Sequence, residues 1–332
     1  MSSSPRIVVT GGHGFIGSHL AERLVTTGAD VTVFDAGALP PTLDLLRRHA
    51  QHVSGDVRDP DRLAEAITPR TDLVFHLAAT VGVDTYLHRP LDVIDVNFTG
   101  TQRVLERAAR VGARVVVAST SEIFGKNPAV PWREDADRVL GPTNVQRWCY
   151  STSKALAEHL TFGFVQQHQV SACVVRYFNI YGPRQRPAYV ISRSVHRALN
   201  GRPPVVYDQG SQTRSFTYVT DAVEGTVLAG AYDRAAAPAF NIGSMRETTI
   251  GDAVAMVTAV IGGGGSTLAV DTNGQLGAGY QDLPRRIPDA TRARLLLGWS
   301  AETDLRDGIA RTVEWARANP WWLATDDSGA GR

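Results

Sequence analysis

Tyr150 and Lys154 stand one helical turn apart in Tyr150-Ser-Thr-Ser-Lys154, and Ser119-Thr120-Ser121-Glu122 precedes them. A phenol ordinarily titrates far above neutrality, but an ammonium on the same helix face favours the phenolate and lets it act as a base near neutral pH. With Thr120 sharing the hydrogen bond to a substrate hydroxyl, the set suits removal of an alcohol proton while hydride leaves the same carbon. Glu122 is surplus to that step, because oxidation of an alcohol needs no carboxylate.

A hydride needs an acceptor, and the start of the chain supplies a place for one. Gly11, Gly14 and Gly17, in Gly11-Gly-His-Gly14-Phe15-Ile16-Gly17, follow a strand-like run and open a helical one. Glycines so placed allow a tight turn, close approach to a pyrophosphate, and presentation of helix N-terminal amides to it. Asp35, at the end of the second strand-like run, can accept hydrogen bonds from both ribose hydroxyls and repel a 2′-phosphate, which favours NAD over NADP. Asp56, beside Val57, reads either as a contact to the adenine edge or as the cap of a helix over residues 60–67. Leu77, Ala78 and Ala79 are small enough at a strand end for a cofactor to pass close by.

The elements that must hold these residues alternate along the chain. Apolar runs at residues 6–10, 30–34, 52–55, 73–77, 114–119 and 172–177 read as strands, with helical patterns between them. Such alternation predicts an α/β fold: a Rossmann-type doubly wound parallel sheet, with a smaller C-terminal α/β substrate-binding lobe. The strand ends at Thr10, Phe34, Gly55, Leu77 and Ser119 then share the edge that carries ligands in open α/β sheets. The expected division is an NAD-binding domain over residues 1–180 with returns near 215–244, the lobe mainly over 181–325, and a flexible tail over 326–332. Prolines at 183, 187, 203 and 204 mark the lobe's irregular start. The glycines at 262–265 read as a turn, residues 304–318 as a last helix, and the polar stretch after Leu323 as frayed.

Bulk composition narrows the partners. The chain has 332 residues and a formal net charge of +1, with dispersed arginines, which points away from nucleic acid and towards local binding of anions. Only Cys149 and Cys173 occur, so neither a disulfide framework nor a metal site is expected. The opening Met-Ser-Ser-Ser-Pro-Arg has no apolar signal region and no stretch reaches membrane-spanning length, so a cytoplasmic protein without membrane partners is expected.

Further segments carry a family resemblance over nearly the whole chain. Ser119-Thr-Ser-Glu-Ile-Phe-Gly125, Arg176-Tyr-Phe-Asn-Ile-Tyr-Gly-Pro-Arg-Gln185, Arg214-Ser-Phe-Thr-Tyr-Val-Thr-Asp221 and Leu297-Gly-Trp299 join the glycine loop and the Tyr–Lys pair. Together they resemble the extended short-chain dehydrogenase/reductases, in the NAD-dependent nucleotide-sugar epimerase, dehydratase and decarboxylase group. The resemblance implies that Tyr150, Lys154 and Thr120 oxidise a sugar at C4, with Lys154 lowering the tyrosine pKa and holding the nicotinamide ribose. Glu122 and Arg286 then decide what becomes of the ketone.

Thr120-Ser121-Glu122, Arg147-Trp148 and Gly279-Tyr-Gln-Asp-Leu-Pro-Arg-Arg286-Ile-Pro288 are similar to nucleotide-sugar decarboxylases, which implies UDP-glucuronate decarboxylation to UDP-4-keto-pentose or UDP-xylose. In that reading Arg286 faces the sugar carboxylate as an orienter and proton manager, because too tight a grip would stabilise the ground state. A 4-epimerase is the alternative and a 4,6-dehydratase the third reading; a non-catalytic dinucleotide sensor is the reading from outside enzymology. The resemblance further implies Asn179 and Arg214 at the sugar diphosphate, and Val206 and Tyr207 against the nucleobase. Arg184 reads equally as a structural ion pair or a ligand contact. A homodimer through helices at 91–111 and 147–168 is implied too, with Val104, Ala108, Leu156 and Leu160 apolar on their faces.

Overall fold

The computed structural model describes residues 4–232, 238–262, 267–271 and 283–327. Residues 263–265, 279–282 and 328–332, which carry part of the glycine turn, part of the Arg286 motif and the end of the tail, lie outside the described residues.

Six strands form the expected parallel core: β1 (Arg6–Thr10), β2 (Asp30–Asp35), β3 (Gln51–Ser54), β4 (Leu73–His76), β5 (Arg114–Thr120) and β6 (Ala172–Tyr177). Their ends differ from the sequence expectation by a residue or so; Asp35 and Thr120 are the last residues of β2 and β5, as expected. Between them run α1 (Phe15–Thr26), α2 (Asp44–His49), α3 (Pro60–Ala66), α4 (Val83–His88), α5 (Pro90–Val111) and α6 (Arg147–His168). Alternation within each strand explains why both faces need helices. Ile7 and Val9 of β1 join one core with Leu20 and Leu24 of α1, while Val8 joins another with Leu63 of α3 and Leu105 of α5. Each such fully buried side chain contributes about 1.5–3 kcal/mol.

Beyond β6 the strands shorten: β7 (Ile180–Tyr181), β8 (Val205–Tyr207), β9 (Thr213–Arg214), β10 (Thr217–Tyr218), β11 (Ala239–Ile242), β12 (Thr248–Thr249), β13 (Leu268–Val270) and β14 (Arg285–Arg286). Of these, β11 returns to the main sheet, giving the order β11-β6-β5-β4-β1-β2-β3. The helices are α7 (Val190–Leu199), α8 (Val219–Ala231), α9 (Ile250–Ile261), α10 (Thr291–Leu297), α11 (Leu305–Ala318) and α12 (Pro320–Leu323). A separate core in this half joins Val195 of α7, Val254 of α9, Ile309 of α11 and Trp322 of α12.

Two expectations change here. Val104 and Ala108, taken as possible dimer-facing positions, are fully buried in the core between α5 and the sheet, because helix periodicity marks any apolar partner equally. Leu156 is 42% exposed, as are Leu91 and Ile94 at 78% and 41%. The segment after Leu323 is not simply frayed: Asp327 accepts from Arg197 at 2.6 Å and is 12% exposed. Among the described residues no helix is long and apolar enough to cross a membrane.

Candidate active site

A cavity of about 1070 Å³ runs along the C-terminal edge of the parallel sheet, from the glycine loop to Arg286. Parallel strands bring their ends to one edge, so residues far apart in sequence line one groove. At its first end, β1 delivers Gly11 with φ 71°, and a Cβ there would stand 2.7 Å from the Ala78 backbone nitrogen. A Cβ on Gly17 would stand 2.1 Å from the Gly11 carbonyl oxygen, so α1 can begin this close to β1 only as glycine. Gly14 caps α1 without a side-chain hydrogen bond, which leaves the first-turn amides to an anion.

Asp35 accepts from the backbone N–H groups of His13 at 2.9 Å and Gly37 at 2.8 Å, which fixes its carboxylate at the groove. Phe15, Ile16, Val57, Leu77, Ala78 and Ala79 line the same stretch. Asp56 lines it too, but does not cap α3; that role falls to Asp59, whose carboxylate accepts from the N–H groups of Asp61 and Arg62. The Asp56 carboxylate is instead held by Arg58, at 2.9 and 2.6 Å. A bare cradle before a helix N-terminus and a fixed carboxylate at the end of β2 fit the diphosphate and ribose of a dinucleotide.

The other end of the groove is built by β5 and α6. Thr120 ends β5, and its hydroxyl accepts the Glu122 N–H at 3.2 Å as a short turn over Ser121–Phe124 begins. Thr120 and Tyr150 both line the groove, and the threonine hydroxyl favours the ionised phenol. Burial pushes the Tyr150 phenol upward, Tyr189 and Glu122 add to this, and Thr120 and Arg286 only partly offset it. The expectation that Lys154 holds the phenol down is therefore corrected: among the chain's own groups burial wins. Lys154, 4% exposed, is itself lowered by burial to about 8, with Glu158 pulling the other way.

Glu158 is a residue the sequence reading passed over, although it falls one further turn along the helix face of Tyr150 and Lys154. It accepts from Arg176 at 2.9 and 2.6 Å and from Ser119, a fully buried ion pair beneath the site. Tyr86 was also passed over, since it sits in short α4 without a periodic signal. Its hydroxyl accepts from Arg147 at 3.3 Å.

Glu122 stands between two arginines, with Arg286 at 2.6 Å and Arg147 at 3.3 Å. Burial alone would raise its pKa, but Arg286, Arg147 and Arg214 together lower it to about 2. Arg286 reaches it because β14 pairs in parallel with β9, setting Arg286 beside Arg214. Arg286 thus turns a guanidinium nitrogen on Glu122, while its Nε is buried with no hydrogen-bond partner among the described residues.

On the substrate side, Asn179 lines the groove at φ 42° and donates to the Ser215 carbonyl at 3.0 Å. Arg214, also lining it, donates to the carbonyls of Thr213 and Leu283 at 2.8 Å each. Val206 is corrected: β8 turns alternate residues to opposite sides, so Val205 and Tyr207 line the groove while Val206 enters the core with α7 and α9. Arg193 donates to the Tyr207 hydroxyl at 2.8 Å. Arg184 lines the groove and pairs with Glu22 of α1 at 2.9 Å. The arrangement can remove a proton from a bound alcohol, and it surrounds one carboxylate with three guanidiniums. Among the described residues no group of three or more His, Cys, Asp or Glu could hold a metal ion.

A family model described as the NAD dependent epimerase/dehydratase family matches residues 7–243. A UDP-N-acetyl-alpha-D-glucosaminuronate decarboxylase of Bacillus cytotoxicus is 35% identical over 94% of this chain and 98% of its own. A UDP-glucuronic acid decarboxylase 1 of Xenopus tropicalis is 33% identical over 94% of this chain and 72% of its own. Among solved structures, MoeE5 in complex with UDP-glucuronic acid and NAD is similar with a TM-score of 0.81 and 31% identity, over 95% of this chain and 99% of that one.

Proposed function

The chain belongs to the NAD-dependent epimerase/dehydratase family, and from that premise we propose that it is a UDP-glucuronate decarboxylase. It oxidises C4 of the uronic acid and then releases CO₂ to give UDP-4-keto-pentose or UDP-xylose. NAD, held by Gly11, Gly14, Phe15, Ile16, Gly17, Asp35, Asp56, Val57, Leu77, Ala78, Ala79, Tyr150 and Lys154, supplies the hydride acceptor and a cationic ring. Tyr150 takes the C4 hydroxyl proton with Thr120 sharing that hydrogen bond, the positive charge of a bound nicotinamide ring would offset the burial that holds the phenol up, and Lys154 would hold the ribose beside it. Once C4 is a ketone the sugar is a β-keto acid, so CO₂ can leave with its electrons delocalised into the carbonyl.

The observation that carries this reading is Glu122 between Arg286 and Arg147. A 4-epimerase of a neutral sugar has no carboxylate to manage at this position, whereas a decarboxylase must orient one without gripping it; a uronic-acid 4-epimerase shares the carboxylate and is separated by the mass of its product. Glu122 already neutralises part of the Arg286 charge, so Arg286 can align a substrate carboxylate through its remaining donors without deep ground-state stabilisation. With its pKa at about 2, Glu122 stays ionised at neutral pH and positions arginines and solvent instead of delivering the proton to C5. Asn179 and Arg214 take the diphosphate and Tyr207 the nucleobase, in the lobe that begins near residue 181. We further assign a cytoplasmic homodimer through α5 and α6, whose exposed Leu91, Ile94 and Leu156 leave an apolar surface.

Incubating the protein and NAD with UDP-glucuronate, and separately with its 2-acetamido analogue, tests the reading by sugar-nucleotide mass and CO₂ release. Loss of one CO₂ from either acid is the expected result and identifies the C2 group accepted. Isomerisation at constant mass would install the 4-epimerase instead, and no turnover of either acid would overturn the decarboxylase.

A further inference from the structure

His13 and His52 meet beside Asp35, and their hydrogen bonds do not balance for two neutral rings. His13 Nδ1 faces the Gly37 carbonyl at 2.8 Å, and His52 Nε2 faces the Leu46 carbonyl at 3.0 Å. Carbonyls only accept, so both of those nitrogens carry hydrogen. The remaining nitrogens, His13 Nε2 and His52 Nδ1, then face each other at 3.2 Å. Two neutral imidazoles have two N–H groups between them, and three hydrogen bonds need three. Without a third proton, two lone pairs would be pressed together.

We propose that His13 and His52 share one extra proton, and that this cation sets how the cofactor site treats a 2′-phosphate. The inference rests on the reading of the groove as a dinucleotide site. His13 belongs to the circuit that holds Asp35: its own N–H donates to one carboxylate oxygen, the Gly37 N–H donates to the other, and its ring donates back to the Gly37 carbonyl. Asp35 repels a phosphate on the ribose, and sites that accept one commonly place an arginine nearby. The imidazole pair supplies such a cation only while protonated. The other charged or titratable groups on the elements around it are Asp30 and Asp35 on β2, Asp44, Arg47, Arg48 and His49 on α2, Asp61, Arg62 and Glu65 on α3, and His19, Glu22 and Arg23 on α1; β3 adds none besides His52. Arg47 lies 3.9 Å from Asp44.

The test measures NAD⁺ and NADP⁺ dissociation constants by calorimetry from pH 6 to 8.5, in the wild type and in His52→Phe, with ring-nitrogen NMR of the histidines. His13→Ala is the second variant, should the phenylalanine distort β3. The 2′-phosphate titrates in this range for every protein, so the comparison between proteins carries the information. Near pH 6 the wild type should discriminate against NADP⁺ about five-fold less than either variant, the difference fading by pH 8.5. NMR should find both His13 Nε2 and His52 Nδ1 sharing a proton at the lower pH. Unchanged discrimination in both variants with NAD⁺ still bound would overturn the proposal alone. Failure of the wild type to bind either dinucleotide would overturn the cofactor-site reading and this inference together.

Discussion

Replacing Glu122 with Gln removes one negative charge from between Arg286 and Arg147 and changes little else in shape. In the folded protein the carboxyl pKa lies at about 2 against an ordinary 4.5, so folding favours its ionised form. That difference corresponds to about 3 kcal/mol of stability at pH 7. Because the folded value is the depressed one, this stability is fully present above pH 4.5 and drains away as pH falls towards 2. At pH 3 less than half of it, about 1 kcal/mol, should remain. Glu122→Gln lacks the charge at every pH, so the gap between wild type and variant should shrink from about 3 to about 1 kcal/mol between pH 7 and pH 3. Urea unfolding at pH 3, 4, 5 and 7, followed by tryptophan fluorescence, measures the gap directly. A gap equal at all four pH values would refute the reasoning, since the loss would then come from shape or hydrogen bonding rather than from charge. A gap near zero at pH 7 would mean that the desolvation of the three charged groups cancels their attraction.

Two further substitutions separate the roles along α6. Tyr150→Phe should slow the appearance of NADH absorbance in a single turnover by about 10²–10⁴-fold while NAD still binds; near-normal reduction would assign proton removal elsewhere. Glu158→Gln removes the carboxylate that holds the Lys154 pKa up at about 8, so the alkaline limb of the cofactor-reduction rate should move to lower pH. An unmoved limb would detach Lys154 from that limb. The same variant leaves Arg176 buried without its carboxylate, and a loss of roughly 3–5 kcal/mol in unfolding experiments is expected alongside.

Much of the sheet was legible because its signals are local. In β1, β5 and β6 nearly every residue is apolar or small and β-forming, as burial on both faces demands, with Arg6 and Arg114 at the strand starts and Arg176 paired to Glu158. The glycines at 11, 14 and 17 were legible for the same reason: a cradle built from one short segment carries its own requirements. The lobe was less legible, since β7, β9, β10, β12 and β14 are two-residue strands whose pairing is decided by what surrounds them. Val206 and Tyr207 illustrate the limit. The family resemblance implied that both lie against the nucleobase, but of the two, alternation along β8 turns only Tyr207 to the groove.

By itself the sequence determined the parallel sheet, the glycine cradle with Asp35, and the Tyr150–Lys154–Thr120 set, since each part carries its own signal in a short strand, turn or helix segment. Only the tertiary structure decided that Arg286 and Arg147 converge on Glu122, and that the burial of Tyr150 outweighs its neighbours' favourable charges. Electrostatic strength depends on separation in space and on exclusion of water, and neither is a property of spacing along a chain. The carboxylate that alcohol oxidation does not need is thereby placed, ionised, between two arginines.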